Sequence, residues 1–312
     1  MNIEKKSKKQ QLFNGLVFYS ALKEMEQELN DIDYVIIKGE PLSMLAYGYF
    51  GCRTSHDIDI LKDKKNVSIL DQILNKHGFY QLNRNLSRLE RILANQAHQT
   101  FSYIKKVSNN IVVIDVNVDV FWGEYEGKRI DISDFISDRK EMNIFGFKTK
   151  ILNPMKTLVA LILHHYKELN SLHQLSRAEH PYKEKLFNDV YSLINRNTII
   201  SPQGLLDICS VYEIIPYTYF VLYYTNRFIG NNVLGEYVNL FETEEGKELL
   251  DCYGLTKQEK KKWSITFEER LQTANLYPII MNDLSQKDIH KIQLQKKIFN
   301  NSKDKIEVIS NE

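Results

Sequence analysis

The residues best placed to do chemistry are Asp57 and Asp59, within the apolar run Asp57-Ile58-Asp59-Ile60-Leu61. Alternate residues of a strand point to one face. A short strand here therefore holds both carboxylates on one side, rigidly and close enough to share divalent cations. Carboxylate oxygens are the ligands Mg²⁺ demands, and in two-ion sites a third carboxylate commonly completes the set. Candidates for it come from Ile114-Asp115-Val116-Asn117-Val118-Asp119-Val120, where Asp115, Asn117 and Asp119 share one face and the apolar residues the other. The plainer reading of that alternation is a solvent-facing strand side. Two strands that each present paired carboxylates favour metal-assisted phosphoryl chemistry.

The elements needed to position these groups are legible around them. Gln11 to Leu29 reads as an opening helix, with apolar residues at Leu12, Leu16, Phe18, Leu22, Met25 and Leu29. Tyr34 to Lys38 is a β-run ended by Gly39, and Pro41 stands where a first-turn proline is tolerated before a helix over Leu42 to Tyr49. The Asp57 to Leu61 strand follows a loop marked by Gly48, Gly51 and Ser55. A helix over Val67 to His77, burying Ile69, Leu70, Ile73 and Leu74, then ends at Gly78. Strands are expected at Gln99 to Lys106 and Ile111 to Phe121, turning at Ser108-Asn109-Asn110, and a hairpin over Met142 to Ile151 turns at Phe145-Gly146.

At Asn153-Pro154 the pattern changes to helix, with Asn153 as N-cap. Helices are expected over Met155 to Leu169, Lys185 to Asn195, Pro202 to Tyr212, Pro216 to Phe228 and Lys257 to Ala274, with a charged tail from Ser285 fraying over its last ten residues. The expected fold is α+β: a small mixed sheet flanked by helices over residues 1–152, then an all-helical domain over 153–312.

Composition narrows the function classes. The 312 residues are 43% hydrophobic and 26% charged, ordinary for a globular chain, and 41 basic against 40 acidic residues leave a net charge of +1. So balanced a charge argues against nucleic acid as a partner. The three cysteines, Cys52, Cys209 and Cys252, match neither a disulfide framework nor a zinc site. The basic, polar N-terminus lacks a signal-peptide core, and the apolar run Leu158 to Leu163 is too short to cross a bilayer. The expected location is cytoplasmic, with no membrane partner.

Taken in order, several motifs resemble the nucleotidyltransferase superfamily with a DNA-polymerase-beta-like core. They are Lys38-Gly39, Arg53 four residues before Asp57, Asp57-Ile58-Asp59-Ile60-Leu61, His77-Gly78-Phe79, Val118-Asp119-Val120-Phe121-Trp122, Gly146 to Pro154 through His165, and Asn188-Asp189-Val190. More narrowly the chain is similar to the uncharacterised nucleotidyltransferase family, which has Lys-Gly in place of the usual Gly-Ser. The resemblance runs from Leu16 to Gly230. Two departures stand out: Phe121 occupies a position that is histidine in relatives, and Glu40 follows the Lys-Gly pair, where its charge opposes phosphate unless it turns outward or caps the helix.

The resemblance implies a transferase (EC 2.7.7-like) that moves a nucleoside monophosphate from an NTP, with ATP as donor, to a hydroxyl of a small molecule, peptide or protein. It implies catalytic and metal-holding roles for Asp57, Asp59 and Asp119, with two Mg²⁺ ions, and with Asp119 facing the acceptor hydroxyl and Asp115 as its rival. It also implies nucleotide contacts from Lys38, Gly39 and Arg53. Gly39 lets the backbone approach a triphosphate, the following helix presents free N–H groups, and the two cations neutralise phosphate oxygens. Rival readings are a toxin-like transferase acting on tRNA or protein, and a catalytically inactive nucleotide-binding scaffold. His164-His165 and the aromatic run Tyr217 to Tyr224 read as helix packing, and Lys260 to Lys262 as a solvated face.

Overall fold

The computed structural model describes residues 2–53, 55–81, 97–122, 130–177 and 181–296. The fraying expected for the last ten residues lies outside these. The described residues form two compact units, one of 2–122 with 130–157 and one of 158–296.

The first unit is a mixed sheet with helices against it. Helix α1 (Asn2–Lys23) and the short α2 (Glu26–Asn30) lead to β1 (Val35–Ile36), then α3 (Glu40–Tyr47), β2 (Ile58–Leu61), α4 (Val67–Lys76) and β3 (Tyr80–Gln81). Strands β4 (Tyr103–Val107), β5 (Asn110–Asn117), β6 (Lys140–Ile144) and β7 (Phe147–Ile151) complete a sheet of order β3-β4-β5-β2-β1-β7-β6. The β4–β5 and β6–β7 pairs are antiparallel hairpins, whereas β2 runs parallel to β5 and β1 parallel to β7. At the second hairpin Phe145 and Gly146 both take positive φ, 51° and 83°, as a tight two-residue turn requires. The opening helix expected to continue to Leu29 breaks at Glu24–Met25.

Strand alternation divides the central sheet chemically. Ile58, Ile60, Ile114 and Val116 turn to one face and join Phe18, Tyr19 and Leu22 of α1 and Leu70 and Leu74 of α4 in one buried core. Each such side chain contributes roughly 1.5–3 kcal/mol on burial, so the register is strongly specified: a one-residue slip would put the acidic face into this core. Not every apolar residue of the pattern goes inside. Leu12, Leu16 and Ile69 are exposed.

In the second unit the helices Glu184–Arg196, Pro202–Val211, Ile215–Ile229, Gly235–Phe241 and Glu244–Leu250 pack around the aromatic face of Ile215–Ile229. Tyr219, Phe220 and Tyr224 are buried there, as helix packing requires. The expected helix over Lys257 to Ala274 is not formed. Lys261–Lys262 instead pairs with Cys252–Tyr253 as a small ribbon, and the helix begins only at Phe267, where Thr266 and Glu269 make a reciprocal capping box. Buried Arg270 fills the space beyond it, donating to the hydroxyls of Tyr182 (3.1 Å) and Tyr224 (2.7 Å) with its guanidinium over the Trp263 ring. Among the described residues no helix is long and apolar enough to cross a membrane.

Candidate active site

Strands β2 and β5 lie parallel with Asp59 directly opposite Asp115. Registered residues share a face, so Asp59 and Asp115, Asn117 two residues on, and Asp57 just before β2 all project opposite to the isoleucine core. Asp59 is buried, and its Oδ1 accepts from Lys38 Nζ at 3.0 Å and from Asn117 Nδ2 at 3.3 Å. Asp57 is ordered from below by Ser55, whose hydroxyl donates to the Asp57 carbonyl at 2.8 Å and lies 3.4 Å from Oδ1. Asp115 Oδ1 is buried with no hydrogen-bond partner among the described residues, while Ser102 bonds the same carboxyl group.

This crowding shows in the acidities. Burial pushes the Asp57 carboxyl up, and the charge of Asp59 adds to it against the opposing pull of Lys38. For Asp115, burial and then the charges of Asp57 and Asp59 raise the value to about 7. Like charges held this close favour any cation that can enter between them.

The strand expected to reach Phe121 stops at Asn117. Residues 97–100 pair across its end, with Val118 N–H donating to His98 O at 2.7 Å and Gln99 bridging Asn117. Asp119 lies two residues beyond the end of β5. It sits in the bend that follows, buried, with Oδ1 accepting from Phe121 N–H at 2.9 Å. Asp115, not Asp119, is the carboxylate in register with Asp59. Phe121 is buried and packs edge-on to Trp122 with centroids 5.7 Å apart, so it is a packing residue.

Lys38 and Gly39 stand at the end of the first central strand. Gly39 has φ +60° and ψ −129°, a conformation L side chains rarely adopt, and a Cβ there would approach Ser55 Oγ to 3.3 Å. It is the N-cap of α3 and offers no side-chain cap, so the first N–H groups of the helix are not satisfied by a cap side chain. Glu40 neither turns outward nor caps α3, contrary to expectation. It is buried, and its Oε2 accepts from Gly51 N–H at 2.8 Å. Burial pushes its carboxyl above the usual carboxylate range, against the opposing pull of that bond and the charge of Arg53. Between this turn and α1 is a pocket lined by Gln11, Tyr19, Lys38, Gly39, Ser55 and Asp57 among others.

Asp57, Asp59 and Asp115, with an unsatisfied buried oxygen on Asp115, offer the oxygen ligand type that a hard divalent cation takes. Among the described residues no group of three acidic, histidine or cysteine side chains is arranged to hold a metal ion, and Lys38 takes the cation position at Asp59. Ser55, Ser102 and Tyr19 were not legible as site residues. Only the register exposes Ser102, which precedes the Tyr103 that pairs with Ile114.

A family model described as "Uncharacterised nucleotidyltransferase" matches residues 5–230. No curated protein matches the sequence. Among solved structures, the chain is similar to an antigenic nucleotidyltransferase-like protein from Paracoccidioides brasiliensis, at 20% identity and a TM-score of 0.37, covering 57% of this chain and 76% of that one.

Proposed function

The chain belongs to the uncharacterised nucleotidyltransferase family, and on that premise we propose that it transfers AMP from ATP to a hydroxyl of a small-molecule, peptide or protein acceptor. The observation that carries this reading is the register of Asp59 against Asp115, with Asp57 on the same face. Three carboxylates with a lysine among them suit a polyanionic, metal-accompanied substrate better than a neutral one.

Each residue has a part. Gly39 admits the triphosphate close to the backbone, and the first N–H groups of α3 point at it. Lys38, now 3.0 Å from Asp59, exchanges that carboxylate for a phosphate oxygen. Arg53 bonds phosphate bidentately. Asp57 and Asp59 would hold Mg²⁺, with Asp115 beside them, and the ion would supply charge neutralisation on the phosphates. The acceptor oxygen bonds to the α-phosphorus in line, the bond to the bridging oxygen breaks, and pyrophosphate leaves. Asp115, whose Oδ1 has no partner among the described residues, takes the hydroxyl proton. Asp119 holds the bend after β5 through the Phe121 amide.

The inactive-scaffold reading is weakened at Glu40, whose carboxylate is engaged by the Gly51 amide. A cytoplasmic setting supplies both ATP and the reducing conditions that three unpaired cysteines suit. The test is pyrophosphate release from ATP with Mg²⁺ across a library of hydroxyl acceptors. Release that depends on Mg²⁺ and disappears in Asp59→Asn is expected. Nucleotide binding without turnover on every acceptor class would sink the enzymatic reading.

A further inference from the structure

Between Gly48 and β2 the backbone is irregular, and backbone polar groups in such a loop must find partners elsewhere. Two side chains from the start of α3 provide them. Glu40 Oε2 accepts from Gly51 N–H at 2.8 Å. Ser43 Oγ donates to Tyr49 O and accepts from Cys52 N–H, both at 2.9 Å. The fit is close on every side. Gly51 has φ +74°, and a Cβ on it would come within 2.8 Å of Leu12; a Cβ on Gly15 would come within 3.0 Å of Glu40 Oε1. Residue 53 follows at once, and the Arg53 charge acts on Glu40.

We infer that Glu40 is a positioning residue for the nucleotide: with Ser43 it clamps loop 49–52 to α3, so that Arg53 is held beside the phosphate turn at Gly39. The inference rests on the proposed transfer. It resolves an electrostatic problem, because a carboxylate next to a phosphate turn repels the substrate unless it is engaged elsewhere. Here its oxygens meet the Gly51 amide and abut Gly15, and its charge is shared with the guanidinium. The clamp fixes Arg53 before the nucleotide arrives, which lowers the ordering cost of binding.

The experiment is calorimetric binding of a non-hydrolysable ATP analogue with Mg²⁺ to the wild type, Glu40→Ala, Glu40→Gln, Ser43→Ala, Arg53→Ala and the Glu40→Ala/Arg53→Ala double variant. Glu40→Ala is expected to weaken binding about tenfold, the scale of one lost contact to a charged group. Glu40→Gln recovers most of the loss, because its amide oxygen still accepts from Gly51. The double variant binds no more weakly than Arg53→Ala alone, since both changes remove one contribution. Losses that multiply in the double variant, or wild-type affinity in a folded Glu40→Ala, overturn the clamp. If Glu40→Ala does not fold, Ser43→Ala combined with Arg53→Ala decides by the same criterion. A wild type that binds no analogue refutes the transfer reading and the clamp together, whereas binding with multiplying losses refutes the clamp alone.

Discussion

At the residue scale, three carboxyl groups on one sheet face compete for too little compensating charge. Burial raises the Asp57 and Asp115 values, the latter to about 7. An acid whose folded value lies above its unfolded one, near 3.9 for Asp, binds protons more tightly in the fold. Its stabilising contribution is complete below the unfolded value and is lost as pH climbs through the folded one. The ligand-free protein should therefore lose stability from Asp115 between about pH 4 and 7. Asp115→Asn removes this loss. Its melting temperature at pH 7.5 should exceed that of the wild type by a few degrees, while transfer falls by about a hundred- to a thousandfold, the scale at which a charge-stabilising catalytic group acts. Asp119→Asn should retain measurable transfer. An unchanged melting profile in Asp115→Asn, or a greater loss of activity in Asp119→Asn, would show that the wrong carboxylate has been assigned.

The elements matter through their ends. Strand β5 ends at Asn117, with residues 97–100 paired alongside that end, and Asp119 lies beyond it in the bend. Helix α3 begins at Gly39, whose positive φ no other residue adopts cheaply. Gly39→Ala adds roughly 1–2 kcal/mol of backbone strain and a 3.3 Å approach to Ser55. A lowered urea midpoint together with weakened binding of an ATP analogue is the expected result. Normal affinity in that variant would mean the backbone there does not contact phosphate.

For the whole molecule, each unit carries its own buried core and its own tryptophan, Trp122 in the first and Trp263 in the second. Arg270 is a buried cation caged by Tyr182, Tyr224, Trp263 and Phe267, held by two tyrosine hydroxyls. Its large side chain fills the centre of that cluster. Arg270→Ala should cost about 2–5 kcal/mol, the range for emptying a well-packed site. In a Trp122→Phe background, the unfolding midpoint read from Trp263 fluorescence should fall accordingly. An unchanged midpoint would mean that the cage contributes nothing net.

Local chemistry suffices for much of this. The Asp57–Asp59 pair, the glycine turn after Lys38, the Phe145-Gly146 hairpin and the Asn153-Pro154 helix start all follow from period-two alternation, positive-φ residues and caps, which act within a few positions of the chain. The mixed α+β character follows from the same signals. Which strands lie side by side was not contained in any of them. The parallel pairing of β2 with β5 joins residues more than fifty positions apart, and it alone sets Asp115 against Asp59. Glu40 turned inward for the same reason: its partner, Gly51, is brought to it by the path of a loop, and no spacing rule encodes that path. Likewise the Lys257 to Ala274 segment has helical periodicity, yet pairing with Cys252–Tyr253 takes its first part into a ribbon. Short-range physics determined what each segment could be, and long-range pairing decided which of those possibilities faced the site.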